Sequence, residues 1–261
     1  MKQVAAGALA LVCLSLASTP ARPAAQQTLT VFAAASLNHA FTQMAERFKQ
    51  THPGVNVKLN FDGSQILETQ IANGAPADVF ASADQTSMKK AVDAGLVDAP
   101  VNFAGNKLVG IVRFDAGAIY SLRDFTQDSL KLVICVETAP CGRYTRDALN
   151  RMSADPHFWK DYGKQVMHNV ASQEPNVEAV AAKVKLGEAD GGFVYATDAQ
   201  HTGPTQFATY PVPDEDQERI TYPIAVVKQS ANAALAREFI DYVLSTDGQL
   251  VLTTDGFLRK P

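Results

Sequence analysis

Cysteine is scarce in this chain of 261 residues, with three in all, at 13, 135 and 141. A metal site on the Cys-x5-Cys pair at 135 and 141 would need two more ligands, and no other Cys or His sits nearby in sequence. Basic charge is not in surplus. Lys and Arg number 23 against 27 Asp and Glu, a formal net charge of −4, which is the wrong sign for a nucleic-acid surface. Long apolar runs are missing too. The stretch from Val4 to Ala17 falls short of the roughly 20 residues that cross a bilayer, and no later run is longer.

Catalytic signatures are also absent. No serine stands in a G-x-S-x-G elbow, so a hydrolase nucleophile has no support. The five histidines, His39, His52, His157, His168 and His201, are scattered singly and none forms H-E-x-x-H; surface placement is expected for each. No glycine-rich phosphate loop with a following Lys-Ser/Thr occurs, which argues against nucleotide binding. Asp78 and Asp84 read as turn and capping residues, with a carboxylate pair as the alternative, and Asp214-Glu215-Asp216 as a solvated loop. The chain is read as a binding protein and not an enzyme.

What is present begins with a leader. Met1-Lys2, the apolar stretch to Ala17 and the small residues up to Ala25 form a secretory signal peptide pattern, with cleavage after Ala21 or Ala25. Cys13 is read as part of that leader. The mature chain, about 235 residues, fits one large or two small domains, and export predicts a periplasmic or extracytoplasmic location. Cys135 and Cys141 then remain as an even, closely spaced pair, which in an oxidising compartment favours a disulfide; free thiols and a metal pair stand as alternatives.

Strands and helices alternate along the mature chain. Leu29–Phe32 is predicted as a strand and Leu37–Gln50 as an amphipathic helix, with Leu37, Phe41, Met44 and Phe48 at helical steps. Val55–Phe61 alternates as a strand, Ile66–Ala72 is a helix, Asp78–Ala81 a strand and Thr86–Ala94 a helix. Leu108–Val112, Leu132–Val136, Gly192–Tyr195 and Ile220–Val227 read as strands. Arg143–Met152, Val177–Leu186 and Ala231–Leu244 read as helices. This order predicts α/β sheets covered by helices, in two lobes that the chain crosses twice, with a ligand between them. A hinge is expected near Asn106–Leu108 and Thr221–Tyr222.

Four segments share one grammar of strand end or turn, small or hydroxyl residue, then helix. They are Ala35-Ser36-Leu37, Gly63-Ser64-Gln65, Pro140-Cys141-Gly142 and Pro175-Asn176-Val177. Helix starts leave backbone N–H groups unpaired, so four of them at one cleft would hold an anion without any lysine or arginine. Capping of their own helices by Ser36, Ser64 and Asn176 is the competing reading. Tyr195, at the end of an apolar strand, would be a fifth donor if its phenol faced the cleft, and otherwise a packing residue.

VFAAASL (Val31–Leu37), GAPADVFASAD (Gly74–Asp84), GFVYATDA (Gly192–Ala199) and YPIAVV (Tyr222–Val227) resemble the periplasmic molybdate-binding proteins of ABC transporters, in the same order and over nearly all the mature chain. The resemblance implies a type II periplasmic-binding-protein fold, each lobe a mostly parallel sheet flanked by helices. Its divisions would be 1–25 as signal peptide, 26–107 with 222–261 as the first lobe, and 108–221 as the second. It also implies that molybdate or tungstate is held by the hydroxyls of Ser36, Ser64 and Tyr195 and by the backbone N–H groups of Cys141 and Val177. The oxyanion would be a ligand, with no cofactor. The partner would be the membrane permease of an ABC transporter, and the protein a monomer without nucleic-acid partners. Another tetrahedral oxyanion such as sulfate, or an oxyanion-sensing role without transport, is the alternative. The chain departs from the family at Asp62-Gly63-Ser64-Gln65, where a richer serine run is usual and a carboxylate would oppose a dianion unless it points away.

Overall fold

The computed structural model describes residues 27–202 and 206–260; the expected signal peptide lies outside the described residues. In chain order the elements are β1 (Gln27–Ala34), α1 (Asn38–Thr51), β2 (Val55–Asp62), α2 (Ser64–Ala72), β3 (Val79–Ala81), α3 (Gln85–Asp93), β4 (Val101–Asn106) and β5 (Leu108–Arg113). There follow β6 (Leu132–Cys135), α4 (Pro140–Met152), α5 (Tyr162–His168), β7 (Val170–Glu174), α6 (Val177–Lys185), β8 (Gly191–Tyr195) and α7 (Ala196–Thr202). The chain closes with β9 (Phe207–Pro211), β10 (Ile220–Val226), α8 (Ala233–Leu244), α9 (Thr246–Thr254) and β11 (Leu258–Arg259).

Two sheets result, and the fold is a two-lobed α/β architecture. One sheet runs β11-β4-β10-β3-β1-β2 and the other β7-β6-β8-β5-β9. β1 is parallel to β2 and β3, and β6 to β7 and β8, where helices return the chain to the same edge. β10 runs antiparallel to β3 and β4, and β5 antiparallel to β8 and β9, because these strands adjoin the passages between the sheets. The first passage is abrupt, with β4 ending at Asn106 and β5 starting at Leu108. The second occupies 212–219, before β10. Ile220 and Thr221, expected in the second unit, pair instead with Asn106 and Gly105 of the first sheet.

Alternation explains why the first sheet is buried on both faces. Val31 and Ala33 of β1 point into one apolar cluster with Phe41, Phe48 and Phe239, while Phe32 points into another with Leu67, Phe80 and Met88. Phe41, Met44, Ala45 and Phe48 bury one stripe of α1, each large side chain contributing about 1.5–3 kcal/mol by leaving water. This burial fixes the carboxyl ends of β1 and β2, and the helix starts that follow them, within the first lobe.

Candidate functional site

The small residues Ala33–Ala35 end β1 and allow a tight 3-10 turn over Ala35–Leu37 that buries Ser36. Ser36 does not cap its helix. Its Oγ is hydrogen-bonded to the hydroxyl of Tyr222, at 3.0 Å. Ser64 opens α2, again without capping it; its Oγ accepts the Ala83 N–H at 2.9 Å. A hydroxyl so engaged still has its own proton to donate.

Two helix starts of the second lobe face these serines. Cys141 is the second residue of α4 and Val177 the first of α6, so neither N–H has a partner within its helix, and both lie at the positive end of a helix dipole. Cys135 and Cys141 form a disulfide, Cα to Cα 5.8 Å, which ties the start of α4 to the end of β6. Gly142 lets this corner close: a Cβ there would stand 1.9 Å from the Val136 carbonyl oxygen. Asn176 does cap α6, its Oδ1 accepting the Ala179 N–H at 3.0 Å.

Tyr195 completes the ring. The residue is 1% exposed, and its buried hydroxyl has no hydrogen-bond partner. Burial, with the neighbouring Tyr222 and Tyr144 adding, holds its pKa well above the ordinary tyrosine value, so the phenol keeps its proton. Ser36, Ser64, Cys141, Val177 and Tyr195 thus line one cavity, together with Ala34, Ala35, Asp62, Gly63, Ala83, Pro140 and Asn176. Its volume is about 10 Å³, far below the roughly 300–1,000 Å³ of a pocket for drug-sized molecules. Such a space suits a species of a few heavy atoms. No lysine or arginine is among the described residues that line it.

The carboxylate of Asp62 is turned to other partners. Its Oδ1 accepts from the Gly63 N–H at 2.7 Å and from Asn176 Nδ2 at 2.9 Å, the latter across the cleft. Three further bonds join the lobes here. Gln65 Nε2 donates to the Pro175 carbonyl at 2.9 Å, Asn38 Nδ2 to Glu178 Oε1 at 3.0 Å, and Arg143 pairs with Asp84 at 2.6 Å. Asp84 also caps α3 through the Ser87 N–H, and Asp78 ties Thr30 to Ser230, so both aspartates are structural. At the abrupt passage, Asn106 Nδ2 donates to Thr197 Oγ1 at 2.9 Å and to the Tyr222 hydroxyl at 3.3 Å. Thr221 and Tyr222, expected at a hinge, sit within β10.

Sequence reasoning missed Tyr222 and Asn106 as supports of Ser36, although Tyr222 opens one of the quoted motifs. It also missed a meeting of histidines. His39 and His201 are on the surface, as expected, but they are not isolated: their rings lie 4.0 Å apart, centroid to centroid, and both contact the buried Asp255. They border a larger cleft of about 470 Å³ on the other side of Ser36, which Glu178, Lys185 and Asp198 also line. Burial, with the Glu178 and Asp255 charges adding, pushes the Asp198 carboxyl up to about 8 against the pull of its bond from the Tyr195 N–H.

Comparison with known proteins places this geometry in context. Residues 29–258 match the model of a family described as bacterial extracellular solute-binding protein. The chain is 38% identical, over 97% of its length and 94% of the relative's, to the molybdate-binding protein ModA of Mycobacterium tuberculosis. Among solved structures, the periplasmic molybdate-binding protein of Azotobacter vinelandii aligns with a TM-score of 0.76 at 21% identity, covering 89% of this chain and all of that one. The sulfate-binding protein SubI of Mycobacterium tuberculosis aligns with a TM-score of 0.78 at 18% identity, over 88% of this chain and 86% of that one. The two solved structures share this fold, one being a molybdate-binding and the other a sulfate-binding protein.

Proposed function

The chain belongs to the bacterial extracellular solute-binding protein family, and from that premise we propose that it captures molybdate or tungstate and presents it to the membrane permease of an ABC transporter. The observation that carries the reading is the Tyr195 hydroxyl, buried and without a partner at a cavity that Ser36, Ser64 and the helix starts at Cys141 and Val177 also line. A buried unpaired hydroxyl costs about 1–3 kcal/mol; an oxyanion in the cavity removes that cost. The 38% identity to a ModA protein supports molybdate as the anion.

The five groups act as neutral donors. Hydrogen bonds to a charged acceptor contribute about 1.5–3 kcal/mol each, and the dipoles of α4 and α6 add to them. The protein binds and releases without covalent chemistry; the anion is cargo and no cofactor is needed. Capture takes place outside the cytoplasm, by a monomer, through closure of the lobe that holds the first sheet, with β10 from Ile220 onward, onto the lobe that begins at Leu108. Discrimination against sulfate follows from size: the same donors spaced for a larger tetrahedron leave some unpaired around a smaller one, at about 1–3 kcal/mol per donor.

Calorimetric titration of the purified protein with molybdate, tungstate, sulfate and phosphate tests this reading. Tight binding of the first two alone is expected. Equal affinity for sulfate, or no heat with any of the four, overturns it.

A further inference from the structure

His39 on α1, His201 on α7 and Asp255 just beyond α9 converge beside the cleft, and we propose that they form a binding site for a divalent transition-metal ion, with zinc as the best fit. Each offers one ligand atom, and the three atoms lie within 4.8 Å of one another. His201 Nε2 stands 3.0 Å from Asp255 Oδ1, and His39 Nδ1 contacts the same oxygen. In a tetrahedral zinc site with ligand bonds of about 2.0–2.2 Å, ligand atoms are a little over 3 Å apart. These side chains are therefore already near the spacing required.

Asp255 supplies the second argument. Its side chain is 2% exposed, and its Oδ2 is buried without a hydrogen-bond partner. A buried carboxylate calls for compensating positive charge. No lysine or arginine pairs with it among the described residues; its ion-pair contacts are the two imidazoles. A divalent ion supplies the charge, with neutral imidazoles completing a His2Asp ligand set of borderline softness.

Access is provided as well. The side chains of His39 and His201 are 54% and 30% exposed, and both line the open 470 Å³ cleft. An ion can enter from that side and keep a water as its fourth ligand. On binding, each ring ligates as the neutral imidazole, with its one N–H on the nitrogen turned away from the ion; a doubly protonated ring releases one proton to solvent.

The ion would join elements of different lobes. α7 follows β8 and packs against β5, β8 and α6 of the second lobe, whereas α1 and α9 pack against each other in the first. Gly256 already lies against this boundary, where a Cβ would come within 2.5 Å of Gln200 Oε1. None of the three ligands is among the residues that line the small cavity, so zinc binding is read without the anion.

The test uses untagged, chelator-stripped protein titrated with Zn2+ against a chromogenic competitor, and with Co2+ for the visible spectrum of a tetrahedral site. Wild type is expected to bind one equivalent, and Zn2+ to raise its thermal midpoint. His39→Gln, His201→Gln and Asp255→Asn should each weaken zinc binding at least tenfold and abolish the shift, while leaving circular dichroism as in wild type. Should Asp255→Asn fail to fold, the two histidine variants decide the matter. No zinc uptake by wild type, or equal uptake by wild type and both histidine variants, overturns the proposal.

Discussion

The hydroxyl oxygen of Ser64 accepts the backbone N–H of Ala83 at 2.9 Å. One contact thus does two things: it satisfies a buried donor at the end of β3 and leaves the serine's proton to point elsewhere. Ser64→Ala removes both. The variant should lose about 1–3 kcal/mol of stability from the orphaned Ala83 N–H and about 1.5–3 kcal/mol of molybdate affinity. Urea unfolding and calorimetry read the two losses separately, and an unchanged affinity would exclude Ser64 from the anion's shell.

Tyr195→Phe separates binding from folding in the other direction. Removing a buried hydroxyl that has no partner should leave the unliganded protein as stable as wild type or more so, by up to about 1 kcal/mol. Molybdate affinity should nonetheless fall at least about tenfold. A variant both destabilised and fully active in binding would show that the hydroxyl serves the core.

Asp62→Asn is expected to strengthen capture. The amide oxygen can still accept from Gly63 and Asn176, as the carboxylate does, while a like charge leaves the border of the cavity. An increase in molybdate affinity on the order of 1 kcal/mol is expected, shrinking as salt is added. A weaker complex would mean that the charge holds the cleft together more than it repels the anion.

Asp198 should impose a pH dependence on stability. Its carboxyl titrates at about 8 in the fold and near 3.9 in the unfolded chain, so the native state holds the extra proton between those values. The stabilisation is full below about pH 4, declines as pH rises, and is gone once pH passes 8. Asp198→Asn, which mimics the protonated form, should equal wild type in thermal midpoint near pH 4 and exceed it at pH 8.5, with chelator present. Parallel curves would refute this.

The disulfide should matter in two ways. Opening a loop this short by Cys135→Ser with Cys141→Ser should cost about 2 kcal/mol by the chain-entropy relation, or roughly 4–8 °C in thermal midpoint. Because the bond fixes the start of α4, molybdate affinity should drop as well. Unchanged affinity with lowered stability would confine the bond to folding.

Much of this was legible because its signals are local. Leu37, Phe41, Met44 and Phe48 recur at helical steps; all four are buried, Leu37 in the turn before α1 and the other three on its inner face. The four helix starts announce themselves by small and hydroxyl residues, whichever role those residues then take. Capping proved right for Asn176 and wrong for Ser36 and Ser64, because their hydroxyls are claimed by Tyr222 and Ala83, far off in sequence. β7 was missed since Val170-Ala171-Ser172-Gln173-Glu174 is an edge strand with no apolar alternation, and α9 since Gly248 and its threonines weaken the helical pattern. The histidine cluster had no signal at all: His39 and Asp255 are 216 residues apart, and only the packing of α9 beside α1 and of α7 beside its end brings them together.

The bonds that span the cleft, Asp84 to Arg143, Asp62 to Asn176, Gln65 to Pro175 and Asn38 to Glu178, also act as a clock. An anion enclosed behind them leaves only after several have parted at once, so its residence time is set by protein–protein contacts as much as by its own. Loosening any one of them should hasten unloading more than it slows uptake. A transporter that pries the lobes apart would then decide when the cargo is surrendered.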